Sequence, residues 1–322
     1  MSSARRRVAI TGAAGYVGRG LVERLEREDS VERILAMDVR PPGGPHGPKV
    51  VFRIHDVTAP MAEMLEENGI DAVVHLAFLL NPSRDRAAAE RVNVGGASNV
   101  LEACRRAGVR QLVYLSSTTV YGAHADNPPL LSEESPVRPV KGFQYGEHKA
   151  HVEELLARHQ ERSPDFIAAV LRGCPVMGPN ADNFISRAFS QPFLVGIRGS
   201  DPPMQLIHED DQTDLLTHCL LQRVSGVYNV AGDGVIRWSA MARLFGKRRI
   251  NLPAPLLYGL TDLTWRLRLQ GNSPACGLDF IRYPFNVSCD KIKSELGVSF
   301  RHSSEDAWMA FVQRQRERAF RG

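Results

Sequence analysis

The stretch Thr11-Gly12-Ala13-Ala14-Gly15-Tyr16-Val17-Gly18 decides the fold of this chain. A short apolar run, Val8-Ala9-Ile10, precedes it, and residues 16–28 follow with Val17, Leu21, Val22 and Leu25 at helical spacing. A G-x-x-G-x-x-G pattern acquires meaning from that order of strand, turn and helix. Gly12 permits the tight turn, Gly15 lets backbone approach a pyrophosphate, and Gly18 lets the helix lie on the sheet while its free N–H groups face an anion. Tyr16 and Val17, inside the same motif, join the three glycines as candidate cofactor contacts. A glycine-rich strand-to-helix turn with no ligand is the plainer reading of this stretch taken alone.

Working outward, the apolar run 33–38 ends on Asp38, about 20 residues past the last glycine, where a carboxylate accepts the ribose hydroxyls of an adenosine. The same charge repels a 2′-phosphate and favours NAD over NADP, a preference that nearby Arg40 tempers. Residues 41–49 are rich in Pro and Gly and read as a surface loop; 50–56 resume as a strand. A helix is expected over 60–68, with Pro60 in its first turn and Gly69 closing it. Residues 71–77 form a nearly continuous apolar strand, as in a sheet covered on both faces. A long helix over 84–107, a strand over 111–117, a loop over 123–139, a helix carrying Tyr145, and a strand over 166–172 continue the alternation. The class is α/β, a Rossmann-type doubly wound parallel sheet.

Beyond Gly173 the pattern loosens around Pro175, Pro179, Pro192, Pro202 and Pro203. A helix over 210–222 and a strand over 227–230 return to the earlier regularity, and helices over 253–269 and 304–320 follow. The expected organisation is an NAD-binding domain over 1–173 with a returning segment near 207–237. Residues 174–206 and 238–322 then form a smaller, C-terminal substrate-binding lobe.

The 322 residues are 43% hydrophobic and 24% charged, enough to bury a large core. The net charge of +4 includes basic ends without interleaved aromatics, so solvated termini are expected and no nucleic-acid partner. Five scattered cysteines without a C-x-x-C pair point to a reducing compartment and no structural zinc. With no signal-peptide core and no apolar run of spanning length, the expected location is cytoplasmic, with no integral membrane segment.

Tyr145 and Lys149 are four apart and share a helix face. An ammonium beside a phenol favours the phenolate and lowers its pKa, and the lysine can also reach the nicotinamide ribose. Ser117 ends a central strand, where a parallel sheet presents groups to its ligand crevice, and could orient a substrate hydroxyl or carbonyl while Tyr145 moves the proton and NAD takes the hydride. Singly, these residues read equally as a helix-surface pair and a strand end; their order after the glycine turn joins them.

At this point the chain resembles the extended short-chain dehydrogenase/reductases, in particular the NAD-dependent epimerase/dehydratase group. The resemblance rests on Thr11 to Gly18, Asp38, Asp56-Val57, His75-Leu76-Ala77, Asn93, Tyr114-Leu115-Ser116-Ser117-Thr118-Thr119-Val120-Tyr121-Gly122, and Tyr145 with Lys149. It continues through Leu171-Arg172, Gly178-Pro179, Ile207-His208-Glu209-Asp210-Asp211 and Tyr228-Asn229-Val230. It implies a catalytic Ser117, Tyr145 and Lys149, adenine contacts from Asp56 and Val57, and cofactor contacts from Leu76, Ala77 and Asn93. It also implies a homodimer packed through helices 84–107 and 145–159. Two departures bear on substrate. Dehydratases of the group carry an Asp-Glu pair where this chain has Thr118 and Thr119, which speaks against 4,6-dehydration. Sugar-nucleotide epimerases carry a Phe-Asn-Val stretch where this chain has Cys174-Pro175-Val176, and Pro175 offers neither side-chain amide nor N–H.

Three functions remain open: a sugar-nucleotide epimerase, a dehydrogenase of a lipophilic or small alcohol, and an NAD-binding sensor without chemistry. In the first two the partner is a small molecule and Tyr145 is the acid/base. His148 and His151 lack a third ligand, so no metal is expected. His75 reads as a core histidine, and Glu209, Asp210 and Asp211 as a helix N-terminal cap. Leu256, Leu257, Leu260, Leu263 and Leu267, with Trp265, are expected in the core of the smaller lobe; a lipophilic pocket or a membrane-surface contact is the alternative.

Overall fold

The structure, a computed structural model, describes residues 5–271 and 273–321. The chain begins with β1 (Arg6–Thr11), α1 (Tyr16–Glu26), β2 (Val31–Asp38), β3 (Val50–Ile54), α2 (Ala62–Glu67) and β4 (Ala72–His75). It continues with α3 (Arg86–Glu90), a π-helical turn (Arg91–Gly95), α4 (Gly96–Arg106), β5 (Gln111–Ser117), α5 (Gln144–Arg162) and β6 (Ile167–Gly173). Next come β7 (Val176–Met177), α6 (Phe184–Ser190), β8 (Leu194–Ile197), β9 (Pro203–Met204), β10 (Ile207–His208), α7 (Glu209–Leu221) and β11 (Gly226–Val230). The last elements are β12 (Ile236–Arg237), α8 (Trp238–Phe245), β13 (Arg249–Leu252), α9 (Ala254–Arg266), α10 (Asp290–Leu296) and α11 (Ser304–Arg321).

Seven of the strands form one sheet in the order β11-β6-β5-β4-β1-β2-β3, and every pairing in it is parallel. Successive residues of a strand point to opposite faces, so adjacent apolar residues feed two separate cores. Ile10 packs with Leu21, Leu25 and Leu216 on the face of α1 and α7. Its neighbour Ala9 packs with Val73, Val100, Leu112 and Val152 on the face of α4 and α5. This two-sided burial explains why the strands read as continuous apolar runs. The chain turns from one half of the sheet to the other between β1 and β4, and a crevice opens there at the strands' C-terminal ends.

The helix expected over 84–107 is helical from Arg86 to Arg106, but its middle turn, Arg91–Gly95, is π-helical. One extra residue in that turn carries the buried Asn93. Past β6, two-stranded pairs join β7 to β10, β8 to β13 and β9 to β12, with α6, α8 and α11 packed around Phe189, Trp238, Trp308 and Phe311.

The leucine-rich helix departs from expectation. Within α9 Leu257 alone is buried, in a small cluster with Ile197 and Leu278. Leu256, Leu260, Leu263 and Leu267 remain 49%, 44%, 52% and 58% exposed. The aromatic core of this region is closed by α6, α8 and α11 without α9, which packs instead on Ile197 and Leu278. No helix among the described residues is long and apolar enough to cross a membrane.

Candidate active site

The glycine turn is shaped by close backbone approach. Gly12 has φ +74°, and a Cβ there would stand 2.6 Å from the Ala77 nitrogen just past β4. A Cβ at Gly18 would stand 2.2 Å from the Gly12 carbonyl oxygen, so the start of α1 rests directly on the turn. Gly15 precedes α1 in extended conformation and no side chain caps the helix. The N–H groups of Tyr16, Val17 and Gly18 thus face outward from a helix N-terminus, ready for a phosphate.

Asp38 closes the other side of the turn. Its carboxylate is 7% exposed and accepts from the Ala14 N–H at 3.0 Å and the Arg40 N–H at 2.9 Å, with Arg40 Nε at 3.3 Å. Beyond β3, Asp56 accepts from the Thr58 N–H and hydroxyl at 2.9 and 2.8 Å, which holds its carboxyl below the usual range. Asn99 donates to the Val57 carbonyl at 2.7 Å, and Gly96 leaves room for the Val57 side chain. Past β4, the Ala77 N–H donates to the Thr11 hydroxyl at 3.3 Å, and that hydroxyl lies 2.7 Å from His75 Nδ1. His75 is buried, and burial with the nearby Lys149 pushes its pKa down to about 3, so it is a neutral core residue. A cradle that any Cβ would fill, an uncapped helix end and a carboxylate on the adjacent strand together suit a dinucleotide.

Ser117 ends β5, and its hydroxyl oxygen accepts from the Thr119 N–H at 3.2 Å and the Thr119 hydroxyl at 3.0 Å. Tyr145 is the second residue of α5 and Lys149 lies one turn on. Lys149 Nζ donates to the Leu115 carbonyl at 2.6 Å and sits 3.8 Å from the ring centroid of Phe78 and 4.6 Å from that of Tyr114. Phe78 also meets Tyr145 edge to face at 5.5 Å. Burial pushes Lys149 down to about 7, with Glu153 opposing, and pushes Tyr145 up to about 12, with the Ser117 hydroxyl opposing. The Tyr145 shift is therefore opposite in direction to the one expected from the Tyr-x-x-x-Lys spacing. Both groups lie in a wall of aromatic rings, and removal from water disfavours the charged form of each, raising the phenol and lowering the ammonium.

Asn93 clamps the segment after β4 to α5. Its amide oxygen accepts from the Leu79 N–H at 2.7 Å, its amide nitrogen donates to the Leu79 carbonyl at 3.3 Å, and that nitrogen lies 3.2 Å from His148 Nδ1. Beside this clamp opens a cavity of about 330 Å³ whose wall includes Tyr145, His148, Phe143, Leu79 and Trp265, with Arg84, Arg86, Arg266 and Arg268. The Arg84 guanidinium lies 4.6 Å over Trp265 and donates to the carbonyls of Trp265 and Gln270 at 3.2 and 2.8 Å. Phe78 and the Arg84–Trp265 pair escaped sequence reasoning. Phe78 was signalled by a large ring directly after Leu76-Ala77, whereas nothing local links residues 181 positions apart.

The acidic run also takes a different part from the expected one. The cap of α7 is His208, whose Nδ1 accepts from the Asp210 N–H at 3.2 Å, and Glu209, Asp210 and Asp211 fill the first turn. There they meet the positive helix end. Glu209 accepts from the Tyr16 hydroxyl and from Asn180, at 3.1 Å (N–H) and 2.7 Å (side-chain amide), while Asp211 accepts from the N–H groups of Arg301 and His302. Tyr16 is thus held by α7 at the mouth of the glycine turn.

A parallel sheet with an uncapped helix N-terminus at its switch point defines the chain as a dinucleotide-binding protein of the doubly wound class. It belongs to the NAD dependent epimerase/dehydratase family, whose model matches residues 8–231, and its cofactor is NAD. MoeE5, solved in complex with UDP-glucuronic acid and NAD, is 25% identical with a TM-score of 0.76, covering 97% of this chain and 99% of that one. UDP-glucose-4-epimerase of Stenotrophomonas maltophila, solved with NAD and formylated UDP-arabinopyranose, shares the fold at 21% identity and a TM-score of 0.74, over 99% of this chain and 100% of that one. An uncharacterized protein of Mycobacterium tuberculosis is 29% identical over 255 residues, 77% of this chain and 67% of that protein. The decarboxylating sterol-4-alpha-carboxylate 3-dehydrogenase of Saccharomyces cerevisiae is 28% identical over 183 residues, 53% of this chain and 51% of that enzyme.

Proposed function

We propose that the protein moves hydride between NAD and a secondary alcohol or its ketone, with Tyr145 as the proton carrier. The observation that carries this reading is the placement of Tyr145 in the wall of the cavity, with Ser117 as its hydrogen-bonding neighbour and Lys149 one helical turn behind. NAD, when bound, accepts or returns the hydride. Ser117 orients the substrate oxygen through its hydroxyl. Tyr145, with a pKa near 12, holds its proton at neutral pH and is set to give it to a developing alkoxide during ketone reduction. Oxidation uses the same groups in reverse, Tyr145 acting once its proton has left. Lys149 titrates near neutrality and is held by the Leu115 carbonyl, so its charge state decides how readily Tyr145 releases a proton. Gly12, Gly15, Tyr16, Val17, Gly18 and Asp38 hold the adenosine diphosphate half in this proposal, with Asp56 and Val57 at its adenine, and Leu76, Ala77 and Asn93 make further cofactor contacts.

For substrate, the likeness to MoeE5 with its UDP-glucuronic acid supports a sugar nucleotide, in which case the hydride returns to the same molecule and the net reaction is an epimerisation. Pro175 favours the second reading, a dehydrogenase of a lipophilic or small alcohol, because its nitrogen has no proton to offer a nucleotide base. Native mass spectrometry of the purified protein and a thermal-shift screen with UDP-sugars and hydrophobic alcohols separate the two. Retained NAD with stabilisation by a UDP-sugar supports the epimerase; an exchanging site that ignores UDP-sugars supports the dehydrogenase. Tyr145→Phe should leave NAD binding intact and lower turnover at least a hundredfold. Unchanged turnover would remove Tyr145 from the chemistry.

A further inference from the structure

We propose that the exposed leucine face of α9 docks the protein onto the surface of an anionic lipid bilayer. At 100° per residue, Leu256, Leu260, Leu263 and Leu267 fall within about 60° of arc, a single narrow stripe. Each is about half exposed, and Leu269 just beyond is 73% exposed. Leu257, about 90° round from the stripe, is buried, and Tyr258, on the opposite side, donates its hydroxyl to Asp279 at 2.5 Å. The stripe is therefore the unburied face of a helix whose opposite side is anchored.

The charges around it select the partner. Between residues 247 and 270 the chain carries five cations, Lys247, Arg248, Arg249, Arg266 and Arg268, and one carboxylate, Asp262. Asp262 is paired with Arg266 at 2.9 Å, whose side chain is still 75% exposed, and Arg249 is paired with Asp201 at 2.7 Å. Arg248 and Arg268 are exposed, one ahead of the helix and one past its end. Leucines in one stripe with the exposed Arg266 and Arg268 at its C-terminal end, and with Lys247 and Arg248 just before the strand that leads into α9, match an interfacial helix lying on acidic headgroups. A second copy of the chain fits less well: two such stripes would set like charges together. A face about 20 Å long and 10 Å wide also falls well short of the roughly 800 Å² per partner of a stable interface. The inference is independent of the reaction proposed above, although α9 also contributes Trp265 and Arg266 to the cavity wall.

The test is co-flotation of the full chain with vesicles of phosphatidylcholine alone and with 30% phosphatidylglycerol, at low and high salt, beside analytical ultracentrifugation. Flotation with the anionic vesicles, weakening as salt rises, is expected. Leu260→Glu with Leu263→Glu should lower it more than tenfold while the NAD-induced thermal shift and the oligomeric state stay as in wild type. Lys247→Gln with Arg248→Gln should lower it about fivefold per charge removed. Absence of flotation by a wild type that still binds NAD would overturn the proposal, as would equal flotation with neutral vesicles at all salt concentrations. A change of oligomeric state in the double glutamate variant would assign the stripe to a second copy instead.

Discussion

Replacing Lys149 by Met isolates the desolvation that dominates the candidate active site. Burial lowers the Lys149 pKa from 10.5 to about 7, which corresponds to roughly 4–5 kcal/mol of lost native stability at pH 7. Met keeps the apolar stem among Phe78 and Tyr114 but leaves the Leu115 carbonyl without its partner, at about 1–3 kcal/mol. The net expectation is a variant more stable than wild type by about 2 kcal/mol at pH 7. Below about pH 7 lysine is charged in both states and the wild type bears the full penalty. Between about 7 and 10.5 the unfolded chain binds the proton and the native state does not, so wild-type stability rises by about 1.4 kcal/mol per pH unit. The variant lacks that slope from this group. The two should therefore cross near pH 8 to 9, and by pH 10 the wild type should be the more stable by about 2 kcal/mol. Urea unfolding of both proteins at several pH values from 6 to 10 measures this directly. Parallel profiles, or a variant destabilised at pH 7, would show that Lys149 is stabilised as a cation and that its dehydration does not govern the site.

The glycine turn and the strand-end carboxylate make two further predictions. Gly12→Ala places a Cβ 2.6 Å from the Ala77 nitrogen at a φ of +74°, so it should destabilise the protein by about 2–4 kcal/mol and weaken NAD binding more than tenfold; urea melts and calorimetry check both, and an unchanged NAD affinity would place the dinucleotide elsewhere. Asp38→Ala removes the acceptor held by Ala14 and frees Arg40, so NAD affinity should fall about tenfold or more while NADP affinity rises; equal losses for both cofactors would mean that Asp38 serves the turn and not the ribose.

Much of the sheet was legible because its strands are buried on both faces. Runs such as Val8-Ala9-Ile10 and Ala72-Val73-Val74 are apolar throughout for that reason, and glycines at fixed offsets report a backbone crossing too close for a Cβ. The π-helical turn was not legible, since one added residue leaves the apolar pattern of 86–106 almost unaltered. The exposure of the α9 face is illegible for a related cause. Leucines at spacings of four and three mark a stripe, but they do not say whether anything covers it.

What the sequence determined by itself is the order of strand, turn and helix, the expectation of NAD from a carboxylate at position 38, and the grouping of Ser117, Tyr145 and Lys149 on elements that meet at one end of a parallel sheet. These follow from local periodicity and from spacing along single elements. Only the tertiary structure decided the environment of those groups. Phe78 comes from the segment after β4, Tyr114 from β5 and Lys149 from α5, and it is their packing that dries the ammonium and raises the phenol. The cavity wall likewise joins Arg84 to Trp265 from opposite parts of the chain. Dehydration depends on what surrounds a group in three dimensions, and no spacing along the chain records it.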